Sequence, residues 1–330
     1  MINEKPQEYS KMNKSHLFCP LNGSQPEISF SLVDYRNNYF TSNDLNKIIE
    51  FYKSFDNNDQ LIQWIKERPK GIANIHEVDG DKDIIVVIPT ADFDGKYAKN
   101  CRENIFTGLH IIFVESGEYP DPYFNYAHNC NIGIRRAMEY NPRWVVVSND
   151  DMYKIDDISK LADLLNKLYN NLISAVFAHP SSYHSRLEIV GEINIFAHLY
   201  YKRSKSSRIL RDLKKRFKVR FANAPDTLLA RLFFKRYVHI REFIDFGIYS
   251  SNLIKEWSFT IYDEVFINHF EDTDLALRIT QERKSTVLSD YNIGTIGAAT
   301  LGNNSLRDIR AIASLAYFSS KHQTSVNEPR

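Results

Sequence analysis

The sequence predicts an α/β fold with a mainly parallel central sheet flanked by helices, and three observations support this prediction. Four short apolar runs lie in the middle of the chain, at residues 84–88, 110–114, 144–148 and 172–177. Their length and their β-branched residues are typical of strands that are buried on both faces. Helical patterns separate the runs, and alternating strands and helices favour a parallel sheet that is covered on both sides.

Residues 1–80 are predicted to form an N-terminal extension that is partly helical. The first forty residues mix Asn, Ser, Pro and Lys without a periodic apolar pattern. Apolar residues at helical spacing then predict a helix over 45–55, capped by Ser42 or Asn43, and a second helix that ends before Pro69.

The main domain is predicted to span residues 81–322, with a short tail at 323–330. Helices are expected between its strands, one over 131–140 and one over 158–168. Two acidic residues directly before the second helix are typical of a helix N-terminus, where carboxylates accept hydrogen bonds from unpaired backbone N–H groups.

Residues 201–241 are predicted to form a basic helical insert in this domain. They contain 14 Lys and Arg side chains and only two acids, Asp212 and Asp226. Two sets of apolar residues recur there at helical spacing: Ile209, Leu210, Leu213 and Phe217, and then Leu228, Leu229, Leu232 and Phe233. The whole chain carries a formal charge of +1, so the residues outside the insert are acidic on balance.

Composition excludes several classes of protein. No apolar run approaches the roughly 18 residues of a membrane-spanning helix, and the start of the chain lacks the apolar centre of a secretory signal. The three cysteines are too widely spaced for a disulfide framework or a zinc cluster. The near-neutral total charge argues against a nucleic-acid coat. A cytoplasmic protein is therefore expected.

Polar residues follow three of the predicted strands. Pro89 and Thr90 come after the first run, Glu115 after the second, and Asn149-Asp150-Asp151 after the third. Ligands of such sheets bind beyond the carboxyl ends of the strands, and Mg²⁺ or Mn²⁺ prefers carboxylate and amide oxygens. A simple turn is the alternative interpretation, because Asn and Asp favour turns.

A second acidic group begins a predicted helix near the C-terminus. Glu271, Asp272 and Asp274 stand at its start. Acids are favoured there by the helix dipole and by capping. A carboxylate that accepts a proton from an attacking hydroxyl is the functional alternative.

Together these segments resemble the family 2 glycosyltransferases, which are inverting sugar transferases with the GT-A fold. The resemblance covers about residues 80–320 and rests on four motifs in the order of the family. They are Ile84-Ile-Val-Val-Ile-Pro-Thr90, Asn131-Ile-Gly133, Val147-Ser-Asn-Asp-Asp151 and Glu271-Asp-Thr-Asp-Leu-Ala-Leu-Arg278.

The resemblance implies a site for a nucleotide-diphosphate sugar. Asp151 would hold Mg²⁺ or Mn²⁺ between the phosphates of this donor. The other residues that the resemblance assigns to donor binding are Pro89, Thr90, Glu115, Asn131, Gly133, Asn149 and Asp150.

The resemblance also implies an acceptor, which would be a glycan or a lipid-linked acceptor. Asp272 would be the general base for its hydroxyl, and Glu271 would support or orient Asp272. Asp274 would have a structural role at the helix start.

The chain departs from the family at the metal site, where many relatives have a His after the second acidic group. Residues 290–300 contain no His, so Asn292 or Thr295 would take its place. Lys321 and His322 are further candidates for contact with the diphosphate.

Two other hypotheses belong to different classes of function. The basic segment 201–241 would allow a module that docks on anionic membrane at the inner face, with weak or absent catalysis. RNA is a weaker candidate for the same surface. A sugar nucleotidyltransferase is disfavoured, because residues 90–95 lack the Gly-rich basic loop of such enzymes.

Overall fold

The predicted α/β architecture with a mixed, mainly parallel central sheet is confirmed. A computed structural model describes residues 35–117, 121–169, 172–178, 183–189, 208–217, 223–225, 237–243, 245–282, 284–296 and 305–323. The strands are β1 Ala73–Val78, β2 Asp81–Thr90, β3 Leu109–Ser116, β4 Trp144–Ser148, β5 Met152–Lys154, β6 Ala175–Ala178, β7 Tyr183–Ile189, β8 Asn223–Pro225, β9 Tyr237–Phe243, β10 Phe246–Ser250, β11 Ser285–Leu288 and β12 Ile293–Thr295.

Nine helices are bounded within the described residues. They are α1 Leu45–Lys53, α2 Asn58–Glu67, α3 Lys96–Asn100, α4 Tyr126–Met138, α5 Ile158–Asn166, α6 Arg208–Arg216, α7 Ser251–Glu256, α8 Glu271–Glu282 and α9 Ser305–Gln323. A π-helical turn, Cys101–Ile105, continues α3. None of the helices in this part of the chain has the length and apolar character that crossing a bilayer requires.

The central sheet has seven strands in the order β1-β3-β2-β4-β10-β6-β11. Strand β2 pairs in parallel with both β3 and β4, and β6 pairs in parallel with β11. Strand β10 is antiparallel to both β4 and β6, and β1 is antiparallel to β3. Two small sheets, β12-β5 and β8-β7-β9, lie outside it.

Both faces of the central sheet are buried, which explains the continuous apolar runs in the sequence. Along β2, Ile84, Val86 and Ile88 belong to one core, and Ile85 and Val87 belong to the other. Helix α5 packs on the first core, and helices α4, α7 and α8 pack on the second. An alternation of apolar with polar residues is not expected in such strands, since neither face meets water.

The N-terminal extension is joined to the main domain by a third core. Helices α1 and α2 pack against α6 and α9 through buried residues such as Phe51, Trp64 and Phe217. The cap of α1 is Asp44, one residue after the expected candidates, because its side chain accepts a hydrogen bond from the backbone N–H of Asn46 at 2.9 Å. Strand β1 is an edge of the central sheet. The central sheet and the third core therefore extend across residue 80, the predicted boundary between the extension and the main domain.

The basic segment 201–241 is less helical than the sequence predicts. Only α6 is helical among its described residues, and β8 and the first residues of β9 are strands. The second apolar set, at 228–233, lies outside the described residues. Leu213 and Phe217 are buried in the third core, while Arg208 and Lys215 are exposed. The apolar face that would enter a membrane is therefore used for packing in α6.

Gly133 allows helix α4 to lie close to the sheet. A Cβ atom at this position would be 2.3 Å from Val87 Cγ1 and 2.9 Å from Val114 Cγ2. Valine side chains are stiff at χ1 and have little room to turn away. The glycine is therefore required by the packing between helix and sheet.

We expect Gly133→Ala to lower the free energy of unfolding by about 1–3 kcal/mol, which is typical of an overpacked core. Urea denaturation monitored by circular dichroism would measure this loss. A second substitution, Val87→Ala, removes the nearest methyl group and should recover part of it. Strictly additive losses in the double variant would contradict the explanation.

Candidate functional site

The carboxyl edge of the sheet holds a group of polar side chains where the strand order reverses direction. The chain passes from β2 to its neighbour β3 on one side and later returns to β4 on the other side. A crevice forms beyond the strands at such a point. The Thr90 hydroxyl, at the end of β2, donates a 2.7 Å hydrogen bond to Asp150 Oδ2, just beyond the end of β4. Two of the sequence-predicted residues therefore meet there.

Asp245 is a third acid at this edge, and the sequence analysis missed it. It precedes β10, which runs antiparallel to β4, so the start of β10 lies beside the end of β4. The Asn149 backbone N–H donates to the Asp245 carbonyl at 2.9 Å, and Asn149 Nδ2 donates to Asp245 Oδ1 at 2.8 Å. We call Asp150, Asp151 and Asp245 the sheet-edge acids.

The sheet-edge acids are held close together away from water. Asp150 and Asp151 are 9% and 4% exposed. Burial and then the charge of Asp151 raise the pKa of Asp245 to about 6. Burial also raises the pKa of Asp150, and the Thr90 hydrogen bond partly offsets that rise. Negative charge at this edge is therefore costly without a counter-charge.

These oxygens fit the donor set of a hard divalent cation. Carboxylates with an adjacent amide and hydroxyl are the ligands that Mg²⁺ and Mn²⁺ prefer, and Mg²⁺ often takes only one or two of them from protein. Thr295 forms a side-chain hydrogen bond with Asp245, whereas Asn292 donates to Asp156. Of the two proposed replacements for the missing His, Thr295 is thus the one at the site. No group of three His, Cys, Asp or Glu side chains in the described ranges has the geometry of a complete metal site.

The second acidic group starts helix α8, and we call Glu271 and Asp272 the helix acids. Asp272 is half-buried, and its negative charge acts on the phenols of Tyr126, Tyr249 and Tyr262. Burial first, and then nearby charges that include Asp272, raise the pKa of the Tyr126 phenol well above its ordinary value. Tyr126 therefore keeps its proton and can donate it in hydrogen bonds.

Glu271 is a buried acid with a strongly shifted pKa. It is 6% exposed, and among the described residues no donor forms a hydrogen bond with its Oε2 atom. Burial raises the pKa of Glu271 to about 7, and the positive charge of Arg307 partly opposes this rise. An acid with this pKa changes its protonation state near neutral pH.

Two residues connect the sheet-edge acids with the helix acids. The Tyr126 hydroxyl donates to Asn149 Oδ1 at 3.0 Å, and the negative charge of Asp272 raises the pKa of the same phenol. The pKa values of Asp245 and Glu271 are both raised, and the positive charge of Arg307, at the start of α9, partly offsets each rise. Arg307 also helps burial to lower the pKa of His269 to about 4. The charge of Arg307 therefore acts on both acidic groups, which are distant in sequence, and Tyr126 interacts with Asp272 and with Asn149 next to the sheet-edge acids.

The loop before α8 is held by amide side chains and contains strained backbone. Ser258, Phe259, Asn268 and Phe270 have φ angles of 52°, 61°, 53° and 71°, in the left-handed region. Such conformations cost free energy outside glycine and persist where surrounding contacts fix them. Asn125 Nδ2 donates to the Glu264 and Phe266 carbonyls, both at 2.9 Å. The orientation of the helix acids is thus fixed by packing on α4.

Asn131 and Gly133 have structural contacts that the sequence analysis did not foresee. Asn131 Nδ2 donates to the Tyr262 carbonyl and to Glu264 Oε1, and its Oδ1 accepts from the backbone N–H groups of Ile261 and Tyr262. These bonds use both donors and both lone pairs of the amide. Asn131 therefore anchors the loop before α8, and a direct contact with a nucleotide would require breaking these bonds. Its role in donor binding stays a prediction.

Glu115 lies at the end of β3, where the sequence placed it, but it is engaged by protein. Its Oε1 accepts from the Phe93 backbone N–H at 2.9 Å, and its Oε2 lies 2.9 Å from His76 Nε2. The rings of His76 and Phe93 stack at 4.4 Å. Pro89 is buried one residue before Thr90. A base-binding role for Pro89 and Glu115 stays a prediction.

Lys321 and His322 are engaged by acids of the protein, and their suggested contact with the diphosphate stays a prediction. Lys321 Nζ lies 2.6 Å from Asp274 Oδ1 and 2.7 Å from Asp263 Oδ2, and His322 Nε2 lies 3.0 Å from Asp274 Oδ1. Asp274 is fully buried and also pairs with Arg278 at 3.0 Å. These residues join α8 to α9.

Comparisons of the chain with known proteins found no matching family model and no matching curated protein. The activity is therefore inferred from the site itself. The site combines the sheet-edge acids and the helix acids with the guanidinium of Arg307 and the phenol of Tyr126.

We expect Glu271 to make the protein less stable as the pH rises. Its pKa is about 7 in the folded chain and 4.5 as an ordinary carboxyl, so the folded state binds the extra proton between these values. Raising the pH from 5 to 8 should therefore lower the free energy of unfolding by about 2 kcal/mol through this group.

Glu271→Gln is neutral at every pH and isolates this contribution. Urea denaturation of wild type and Glu271→Gln at pH 5 and pH 8 should show the variant gaining relative stability at the higher pH. Parallel stability curves for the two proteins would contradict the raised pKa.

Proposed function

We propose that the chain is an inverting glycosyltransferase with the GT-A fold, which moves a sugar from a nucleotide diphosphate to an acceptor hydroxyl. One observation carries the proposal. The positive charge of Arg307 acts on both Asp245 and Glu271. The Tyr126 hydroxyl donates to Asn149, next to the sheet-edge acids, and the charge of Asp272 acts on the same phenol. Two acidic groups with separate tasks are what such a transfer requires, one at the leaving diphosphate and one at the attacking hydroxyl.

The sheet-edge acids form the donor side in this proposal. Asp151 would hold Mg²⁺ or Mn²⁺, whose charge would stabilise the leaving diphosphate. Asp150 is oriented by the 2.7 Å hydrogen bond from Thr90, and Asn149 is oriented by Tyr126 and Asp245. These bonds fix polar groups toward the ribose and the diphosphate before the donor arrives, which reduces the entropy lost on binding.

Arg307 adds a positive charge that belongs to the protein. It lies near Asp245 on the donor side and near Glu271 on the acceptor side. A guanidinium binds phosphate oxygens well, because its N–H groups match two oxygens at once. We infer that Arg307 contributes to binding the diphosphate.

The helix acids form the acceptor side. Asp272 takes the proton of the acceptor hydroxyl while its oxygen attacks the sugar carbon from the face opposite the diphosphate. The C–O bond to the diphosphate breaks as the new C–O bond forms, so the configuration at the carbon inverts. Glu271, with its raised pKa, supports Asp272 as a neighbouring hydrogen-bonding group.

The acceptor is proposed to be a glycan or a lipid-linked acceptor. Leu213 and Phe217 are buried in the third core, so they are not available to insert into a membrane. Binding to an anionic membrane would therefore depend on the positive charge of the basic segment. Exposed cations on α6, such as Arg208 and Lys215, are compatible with that attraction.

Two substitutions distinguish the proposed role of the sheet-edge acids from that of the helix acids. We expect Asp151→Ala to abolish the rise in melting temperature that a nucleotide-diphosphate sugar causes with Mn²⁺, because a ligand-bound state is stabilised by mass action. Asp272→Asn should keep that rise and lose transfer by about 10²–10⁴-fold. A panel of donors, screened first by thermal shift, supplies the substrate for the transfer assay.

Asp163→Asn is the matched control, since Asp163 is an exposed acid on α5. It should bind donor and transfer sugar as the wild type does. Full transfer by both Asp151→Ala and Asp272→Asn with a proven donor would contradict the proposed roles.

A further inference from the structure

A second cavity, of about 600 Å³, lies behind the loop that precedes the helix acids. Four parts of the chain meet there, namely the end of α2, the 260–265 loop, the middle of α8 and the end of α9. Its charged lining consists of Lys66, Lys70, Asp263, Glu264, Arg278 and Lys321. None of these residues has a role in the proposed transfer.

The two acids of this cavity are already engaged. Asp263 accepts hydrogen bonds from the Tyr317 hydroxyl at 2.8 Å and from Lys321 at 2.7 Å. Glu264 contacts His128 at 2.7 Å and Asn131 at 3.0 Å. Their negative charge also partly offsets the lowering of the Lys70 pKa, although neither acid forms an ion pair with Lys70 in the described part of the chain.

Two of the four cations are also engaged. Arg278 Nε pairs with Asp274 Oδ2 at 3.0 Å, and its guanidinium lies over the Trp257 ring at 4.5 Å. Lys321 lies between Asp263 and Asp274. Lys66 and Lys70 are therefore the two cations of the lining that form no ion pair with a carboxylate in the described part of the chain.

Lys66 and Lys70 belong to one short segment with a buried arginine between them. In the described part of the chain no carboxylate forms an ion pair with either lysine, and Lys70 Nζ donates only to the Arg68 carbonyl, at 3.2 Å. Arg68 is 4% exposed and donates to Asn37 and to the Pro122 carbonyl. Burial, and then the charge of Arg68, lower the pKa of Lys70. Lys66 and Lys70 thus line a space that a counter-anion would stabilise, and the buried Arg68 between them adds positive charge nearby.

We propose that this cavity is a second ligand site, which binds a phosphomonoester through Lys66 and Lys70. Four cationic and two carboxylate side chains line the cavity, so the charged lining carries a net charge of +2. A ligand with two negative charges would match this net charge. A phosphomonoester carries nearly two charges at neutral pH and offers three acceptor oxygens. A single carboxylate would leave one lysine without a counter-charge.

Occupancy of this cavity would stabilise the loop that carries the helix acids. Asp263 and Glu264 line the cavity, and Asn131 anchors the same loop from α4. The ligand would be either free phosphate or the phosphate of a phosphorylated sugar, because both present the same dianion. The site does not depend on the proposed transfer.

Isothermal titration calorimetry of the full chain with inorganic phosphate, and separately with glucose 6-phosphate, tests the proposal. We expect Lys66→Gln/Lys70→Gln to weaken phosphate binding by roughly tenfold or more, as expected for the loss of charge-assisted hydrogen bonds. Asp151→Ala should bind phosphate as the wild type does, which separates this cavity from the donor site. Tighter binding of glucose 6-phosphate would identify a phosphorylated sugar, and equal binding would identify free phosphate.

Lys66→Arg/Lys70→Arg is the charge-conserving control and should retain binding. The melting temperatures of both double variants without phosphate show that the fold is intact. Absence of phosphate binding to the wild type, or equal binding by Lys66→Gln/Lys70→Gln, would overturn the proposal.

Discussion

The antiparallel pairing of β10 with β4 is the constraint on which the site depends. Phe246 pairs with Ser148, and this register places Asp245 beside Asn149 at the edge where parallel strands end. A shift by one residue would turn Asp245 to the other face of the sheet, because side chains alternate along a strand. The amide of Asn149 would then lose its hydrogen bond to Asp245. The hydrogen bond from Tyr126 alone would no longer fix the orientation of this amide.

The loop before α8 transmits this arrangement to the second acidic group. It is anchored on α4 by Asn125 and Asn131, and Asn268 accepts a hydrogen bond from the Tyr126 backbone N–H at 2.9 Å. Strained residues survive in it because these bonds outweigh their cost. The loop leads to Asp272 at the start of α8, and its residues Asp263 and Glu264 line the cavity that also contains Lys66 and Lys70.

The N-terminal helices have a function in this architecture that their sequence does not disclose. The Tyr52 hydroxyl donates to the Ile309 carbonyl at 2.7 Å, and Arg310 donates to the carbonyls of Phe40 and Ser42. These bonds fix the first turns of α9, the helix that carries Arg307. The extension therefore supports the cation shared by both acidic groups.

The sequence by itself determined the parallel strands, most helices and the two acidic segments, because burial on both faces and helix capping leave local patterns. It also located Thr90, Asp150 and Asp151, since residues after parallel strands lie at one edge. It missed Asp245 because an antiparallel strand brings its start, and not its end, to that edge. Only the tertiary structure showed that Asn131 anchors a loop and that Arg307 serves both acidic groups, since those contacts join residues more than a hundred positions apart or depend on how helices pack.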